Sequence, residues 1–129
     1  YLYVIGGYYS RRPMWECERF SVADNKWEAI SPFPTAVFDT SVVVQESTQA
    51  LYVLGGFTGS SNIYTIQELN LRTQLWTQLS YSLPSTSQNM PVFKSSKNSE
   101  DFYLVIGSTL YSWNPNSAPR QVKELAVSG

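Results

Sequence analysis

The sequence predicts an all-β chain built from repeated four-stranded antiparallel units. Three observations predict it. The stretch Tyr1-Leu2-Tyr3-Val4-Ile5-Gly6-Gly7 returns as Ala50-Leu51-Tyr52-Val53-Leu54-Gly55-Gly56, and in weaker form as Phe102-Tyr103-Leu104-Val105-Ile106-Gly107-Ser108. A tryptophan follows each double glycine at one interval, Trp27 lying 20 residues after Gly7 and Trp76 20 after Gly56. Tyr, Val, Ile and Thr fill the segments between turns, and no segment carries apolar residues at helical spacing over two turns. A period near 50 residues is the mark of a repeat array.

The second unit displays all four strands. Strand one is the small-residue run Thr40–Gln45, strand two Leu51–Gly55, strand three Tyr64–Asn70 and strand four Leu75–Leu79. In the first unit Cys17–Val22 aligns with Ile66–Leu71, which sets Arg19 opposite Glu68 as equivalents. Polar turns, Ala23-Asp24-Asn25-Lys26 and Arg72-Thr73-Gln74, lead into the tryptophans, and Pro32, Pro34 and Pro84 close the units. The units run approximately over 1–35, 36–84 and 85–129. The chain opens on a second strand and ends just after a fourth, so 11 strands are expected.

The third unit departs from the pattern. Ser108 replaces the second glycine, and the alignment puts Arg120 where tryptophan should stand. Its second-to-third strand connection shortens to a tight hairpin at Gly107-Ser108 or Ser108-Thr109. Losing a packed tryptophan should make this the least stable unit.

Composition removes several functions. The 129 residues include no histidine and one cysteine, Cys17. Within these residues there is therefore no imidazole catalysis, no His-ligated metal site and no disulfide. The net charge of −1 leaves no basic footprint for nucleic acid. No apolar run is long enough for a membrane span. The double glycines are not followed by the Lys-Ser/Thr of a phosphate loop, so a structural role is the simpler reading.

The double glycines Gly6-Gly7 and Gly55-Gly56, the Glu18-Arg19-Phe20 strand and the spaced Trp27 and Trp76, with Gly107 as the third signature, resemble kelch repeats. The resemblance covers the whole chain and comes nearest to BTB–kelch proteins. It implies a β-propeller segment of about three blades, with the tryptophans packed between blades. Propellers close with about four to eight blades. The expectation is thus a segment of a larger ring, whose remaining blades come from the same protein or from a second copy, and whose two end faces are apolar. Arg19 and Glu68 read as structural, pairing across blades or with a neighbour's backbone.

Function should sit on the loops. The resemblance puts second-to-third strand loops and blade links on one face. That face offers Tyr8, Tyr9, Arg11 and Arg12 from one loop, Phe57 and Asn62 from the next, and Phe38 and Ser87 from the links. Tyr and Arg dominate binding hot spots. The family places the aromatic after the double glycine on its ligand face, where Tyr8 and Phe57 stand, but its ligand-reading link arginine is replaced here by Val37 or Phe38. The Ser95–Ser99 run reads as a plain inter-strand connection. The resemblance implies a non-enzymatic, cofactor-free, cytoplasmic module that binds a protein or peptide, with substrate recruitment for a ubiquitin-ligase adaptor as one form. A scaffold subunit of a cytoskeletal or other assembly is the alternative. A sugar-processing propeller enzyme is the third reading, with Asp39 its one candidate carboxylate. Copper chemistry of the galactose oxidase kind has no histidine to use.

Overall fold

The computed structural model describes residues 1–85, 90–96 and 100–125. Among these described residues eleven strands form three antiparallel sheets. The first holds β1 (Leu2–Tyr9), β2 (Arg12–Ser21) and β3 (Lys26–Ile30) in the order β1-β2-β3. The second holds β4 (Ser41–Gln45), β5 (Ala50–Leu54), β6 (Thr65–Asn70) and β7 (Leu75–Ser82), in chain order. The third holds β8 (Val92–Lys94), β9 (Phe102–Ile106), β10 (Thr109–Asn114) and β11 (Ser117–Glu124), also in chain order. A 3-10 turn, Glu46–Thr48, links β4 to β5. The strands expected from the second unit match these bounds to within a few residues.

The second sheet lies between the other two, and β5 shows why its sequence is a continuous apolar run. Side chains alternate across a strand, so Leu51 and Val53 face one way and Ala50, Tyr52 and Leu54 the other. Leu51, Val53 and Leu69 pack with Ile5, Cys17 and Phe33 of the first unit and with Val37 of the link. Ala50, Tyr52, Leu54 and Ile66 pack with Leu83, Met90, Phe102, Leu104, Ile106 and Trp113. Both faces are covered, and all five residues of β5 are buried.

Polar contacts tie the second and third sheets together. Ser41 Oγ donates to the Met90 carbonyl at 2.5 Å. The Glu100 carboxylate accepts from Gln45 Nε2 at 2.6 Å and from Ser47 Oγ at 2.9 Å. Tyr81 donates to the Pro115 carbonyl at 2.8 Å and accepts from Trp113 Nε1 at 2.9 Å.

The third unit is one residue out of phase with the alignment expected from sequence. Phe102, not Tyr103, takes the place of Leu51. Phe102 pairs with Trp113 as Leu51 pairs with Leu69 and Leu2 with Phe20. A one-residue slip sends every side chain of a strand to the opposite face. Phe102, Leu104 and Ile106 therefore point at the second sheet, and β9 reads buried at every other residue. This also corrects the expected loss of a packed tryptophan. Arg120 is exposed, but Trp113 on β10 is only 1% exposed and fills the junction with the second sheet. Its ring meets Tyr52 edge-on at 5.3 Å and Phe102 at 5.5 Å. The hairpin falls on Gly107-Ser108, with Thr109 paired to Ile106 and positive φ (62°) at Gly107 alone, as a type II′ turn requires.

Trp76 and Trp27 differ. Trp76 reaches back to the preceding unit, stacking on Phe33 at 4.9 Å and donating from Nε1 to the Ser31 carbonyl at 3.3 Å. Trp27 is 53% exposed and rests on Phe20 of its own sheet at 5.1 Å. Packing between sheets is thus made by Trp76 but not by Trp27 among the described residues. Trp27 shares its face with Leu2, Val4 and Phe20, the counterparts of residues that are covered in the second sheet.

Arg19 and Glu68 also depart from the expectation of contacts across sheets. Arg19 Nε pairs with the Glu28 carboxylate on the adjacent strand, and its guanidinium lies 4.1 Å from the Tyr1 ring centre. Glu68 accepts a hydrogen bond from Tyr52, its cross-strand neighbour, at 2.8 Å.

Burial, reinforced by Glu68, raises the Tyr52 phenol well above its ordinary value of 10.0, and burial likewise raises Tyr81. A tyrosine with a raised folded pKa stabilises fully below its unfolded pKa, and that contribution is lost as pH climbs through the folded one. Stability is therefore expected to fall as pH rises above about 10. Urea midpoints at pH 8 and pH 11 test this. Tyr52→Phe should show a smaller drop between the two than the wild-type chain, and an equal drop would refute the assignment to Tyr52.

Candidate protein-interaction face

The loop expected to carry Tyr8, Tyr9, Arg11 and Arg12 is a regular hairpin. β1 and β2 continue past the double glycine, pairing Gly7 with Met14, Tyr8 with Pro13 and Tyr9 with Arg12. Ser10 and Arg11 alone make the turn, at φ 52° and 66°. Two consecutive positive φ values describe a type I′ turn, whose twist suits a two-residue hairpin. Tyr8, Tyr9 and Arg12 thus stand on strands, and Arg11 on the tip.

The link between the first two sheets locks onto this hairpin. Gly7 N–H donates to the Val37 carbonyl at 2.8 Å, and Val37 N–H to the Met14 carbonyl at 2.9 Å. Gly6 permits the approach. At φ 63°, a Cβ there would sit 2.6 Å from the Val37 carbonyl oxygen. One residue on, Phe38 and Phe57 exchange both backbone hydrogen bonds at 3.0 Å, and Phe57 also bridges to Asn62. Link and second loop are in this way stitched to the first hairpin. The second loop closes on itself, with Thr58 N–H donating to the Ser61 carbonyl at 3.0 Å and Ser61 N–H to Thr58 Oγ1 at 3.1 Å.

This stitching brings three of the sequence-predicted residues together. Tyr8 and Phe38 have ring centres 5.0 Å apart, and Phe38 and Phe57 5.5 Å in an edge-to-face arrangement. Both spacings suit favourable aromatic pairs. The result is an aromatic ledge crossing two units. Tyr8 is 57% and Tyr9 71% exposed. Arg11, Arg12 and Asn62 are exposed beside it. Neither arginine is in an ion pair among the described residues, where Arg19–Glu28 is the pair formed. Arg12 lies 6.0 Å from the Trp15 ring centre. Trp15, half exposed, was not singled out from sequence. Its place on β2, three residues beyond Arg12, becomes meaningful only once the loop is known to be strand. Ser87 lies outside the described residues, as do residues 97–99 of the serine run.

Asp39 sits in the link with φ 57°, a left-handed conformation that Asp tolerates better than most residues. Cys17 is buried, which raises its thiol pKa and disfavours the nucleophilic thiolate. Among the described residues no group of three or more His, Cys, Asp or Glu could hold a metal, and no helix is long and apolar enough to cross a membrane.

Comparison with known proteins agrees with this architecture. The family model for the Kelch motif matches residues 1–34 and 41–81. Kelch-like protein 35 of Mus musculus is 29% identical over 121 residues, which is 90% of this chain and 20% of that protein. The solved structure of YjhT superposes with a TM-score of 0.72 at 17% identity, over 95% of this chain and 47% of that one. The second likeness is one of fold alone. The chain therefore spans a fifth of the relative's length and about half that of the structural neighbour. This chain belongs to the kelch-repeat family, and its three sheets are blades of a β-propeller.

Proposed function

We propose that this propeller segment is a non-enzymatic interaction module that captures a protein or peptide on the Tyr8–Phe38–Phe57 ledge. The observation that carries the reading is the convergence of these three rings from separate segments, beside exposed Tyr9, Arg11, Arg12 and Asn62. Rigid aromatics supply contact area at low entropic cost, and exposed guanidinium groups add charge-assisted hydrogen bonds. In a longer protein, with further blades completing the ring, such a face would recruit substrate for a ubiquitin-ligase adaptor. The family resemblance supports that role.

Peptides selected by display on the immobilised chain test the proposal. Tyr8→Ala with Phe57→Ala should weaken the selected peptides by about 30-fold, matching roughly 2 kcal/mol for a binding hot spot. Arg11→Ala with Arg12→Ala should weaken acidic peptides selectively, more so at low salt, with the melting temperature nearly unchanged. Peptides that bind all variants as well as the wild-type chain would place the binding face elsewhere.

A further inference from the structure

The outer edges of the three blades are not alike. β3 is short and carries Lys26 and Glu28. β11 carries Pro119, Arg120, Lys123 and Glu124. Charges, prolines and brevity are the devices by which exposed strands avoid pairing with other chains. β7 has none of them. Its eight residues, Leu-Trp-Thr-Gln-Leu-Ser-Tyr-Ser, are uncharged and free of proline, and no charged residue occurs between Arg72 and Lys94.

Among the described residues β7 is the last strand of its sheet, with β6 on one side only. Its second half is interrupted by a register irregularity opposite Thr65–Gln67, and there Tyr81 donates to the Pro115 carbonyl of the third blade. Its first half, Leu75–Gln78, pairs regularly with Gln67–Asn70 and is the open stretch. Leu75, Thr77 and Gln78 are exposed.

We propose that the β7 edge is a homotypic docking site, at which a second copy of this chain adds its own β7 antiparallel. Self-pairing suits this edge and neither of the others. Every cross-strand neighbour would be uncharged, so no like-charge penalty arises. The same pairing of β11 would bury a residue without an N–H and set cationic groups close together. The net charge of −1 adds little long-range repulsion between copies. Antiparallel pairing of identical strands is two-fold symmetric, so the contact closes at two copies. It also leaves the Tyr8–Phe38–Phe57 ledge unused, which makes it independent of peptide binding there.

Light scattering and sedimentation of the 129-residue chain over a concentration series test the proposal. The mass should rise with concentration from 14.6 kDa toward twice that value. Thr77→Lys, and separately Gln78→Lys, place a charge from each copy in the paired stretch and should hold the chain at the monomer mass with its thermal melt retained. Gln121→Lys, on the already charged β11, should dimerise as the wild-type chain does. Amide exchange over Leu75–Gln78 should slow with concentration in the wild-type chain only. A wild-type chain that stays monomeric throughout overturns the proposal. So does a dimer that survives both lysine substitutions, because association then runs through another surface such as the apolar end faces.

Discussion

Trp113→Ala is expected to cost about 3–5 kcal/mol of folding stability, the usual range for a buried aromatic cut back to alanine. Trp113 is 1% exposed and is sandwiched between Phe102 of its own blade and Tyr52 of the preceding one. The substitution opens a cavity between two twisted sheets that cannot easily close on it. It also removes the indole donor to Tyr81, whose hydroxyl keeps its bond to the Pro115 carbonyl. Trp76 is half buried, with Phe33 and the Ser31 carbonyl as partners. Trp76→Ala should cost less, roughly 1–3 kcal/mol, in proportion to the smaller area lost from contact. Trp27→Ala, at an exposed site, should stay within about 1 kcal/mol. Urea denaturation of the three variants gives the order directly. Equal losses at Trp27 and Trp113 would break the link drawn between burial and junction packing in this chain.

That order inverts what the sequence alone suggests, and the reason is geometric. Spacing from the double glycine singles out Trp27 and Trp76 and passes over Trp113. What the junction requires is one large ring facing the preceding blade, and a blade can supply it from its third strand or its fourth. In the second blade the cross-strand pair is Leu69 with Trp76, and in the first it is Phe20 with Trp27. In the third blade the ring moves to Trp113, and the fourth strand is left with Arg120 outside. An alignment by residue type cannot see such an exchange of volume, and it also misses the one-residue phase shift of β9. The repeat, the strand content and the count of 11 strands were legible because they rest on local alternation and turn chemistry. The candidate site was legible in its parts. Tyr8, Phe38 and Phe57 could be named from their places after the glycines and in the link. Their convergence depends on backbone bonds between segments far apart in sequence, which no local pattern encodes. The continuation of β1 and β2 as a hairpin was hidden for a related reason. Glycine and proline read as loop punctuation, whereas here Gly7 and Pro13 sit inside a ladder, beside a link that needs the space.

Gly6→Ala is the second large expected effect. At φ 63° any L-residue pays about 1–2 kcal/mol for the left-handed conformation. The added methyl would also lie 2.6 Å from the Val37 carbonyl oxygen and 3.0 Å from that of Met14. Both obstacles are backbone, so neither can swing aside. Relief requires the link to lift off the hairpin, breaking the bonds from Gly7 N–H to Val37 and from Val37 N–H to Met14. Each such bond contributes about 1 kcal/mol, so the total loss should reach about 3–4 kcal/mol. Gly107→Ala provides the control. Its φ is 62°, nearly the same, but an added Cβ meets nothing within 4 Å. That variant should pay the conformational cost alone, about 1–3 kcal/mol for a sparsely populated turn conformation. The difference between the two losses isolates the link–hairpin contact from the backbone strain. The functional consequence is separable as well. Lifting the link displaces Phe38 from between Tyr8 and Phe57, so Gly6→Ala should weaken peptides held on the ledge even where the chain remains folded, while Gly107→Ala, on the third blade, should leave them bound. If Gly6→Ala proves no more harmful than Gly107→Ala, then the link does not hold the ledge together, and the three rings meet for another reason.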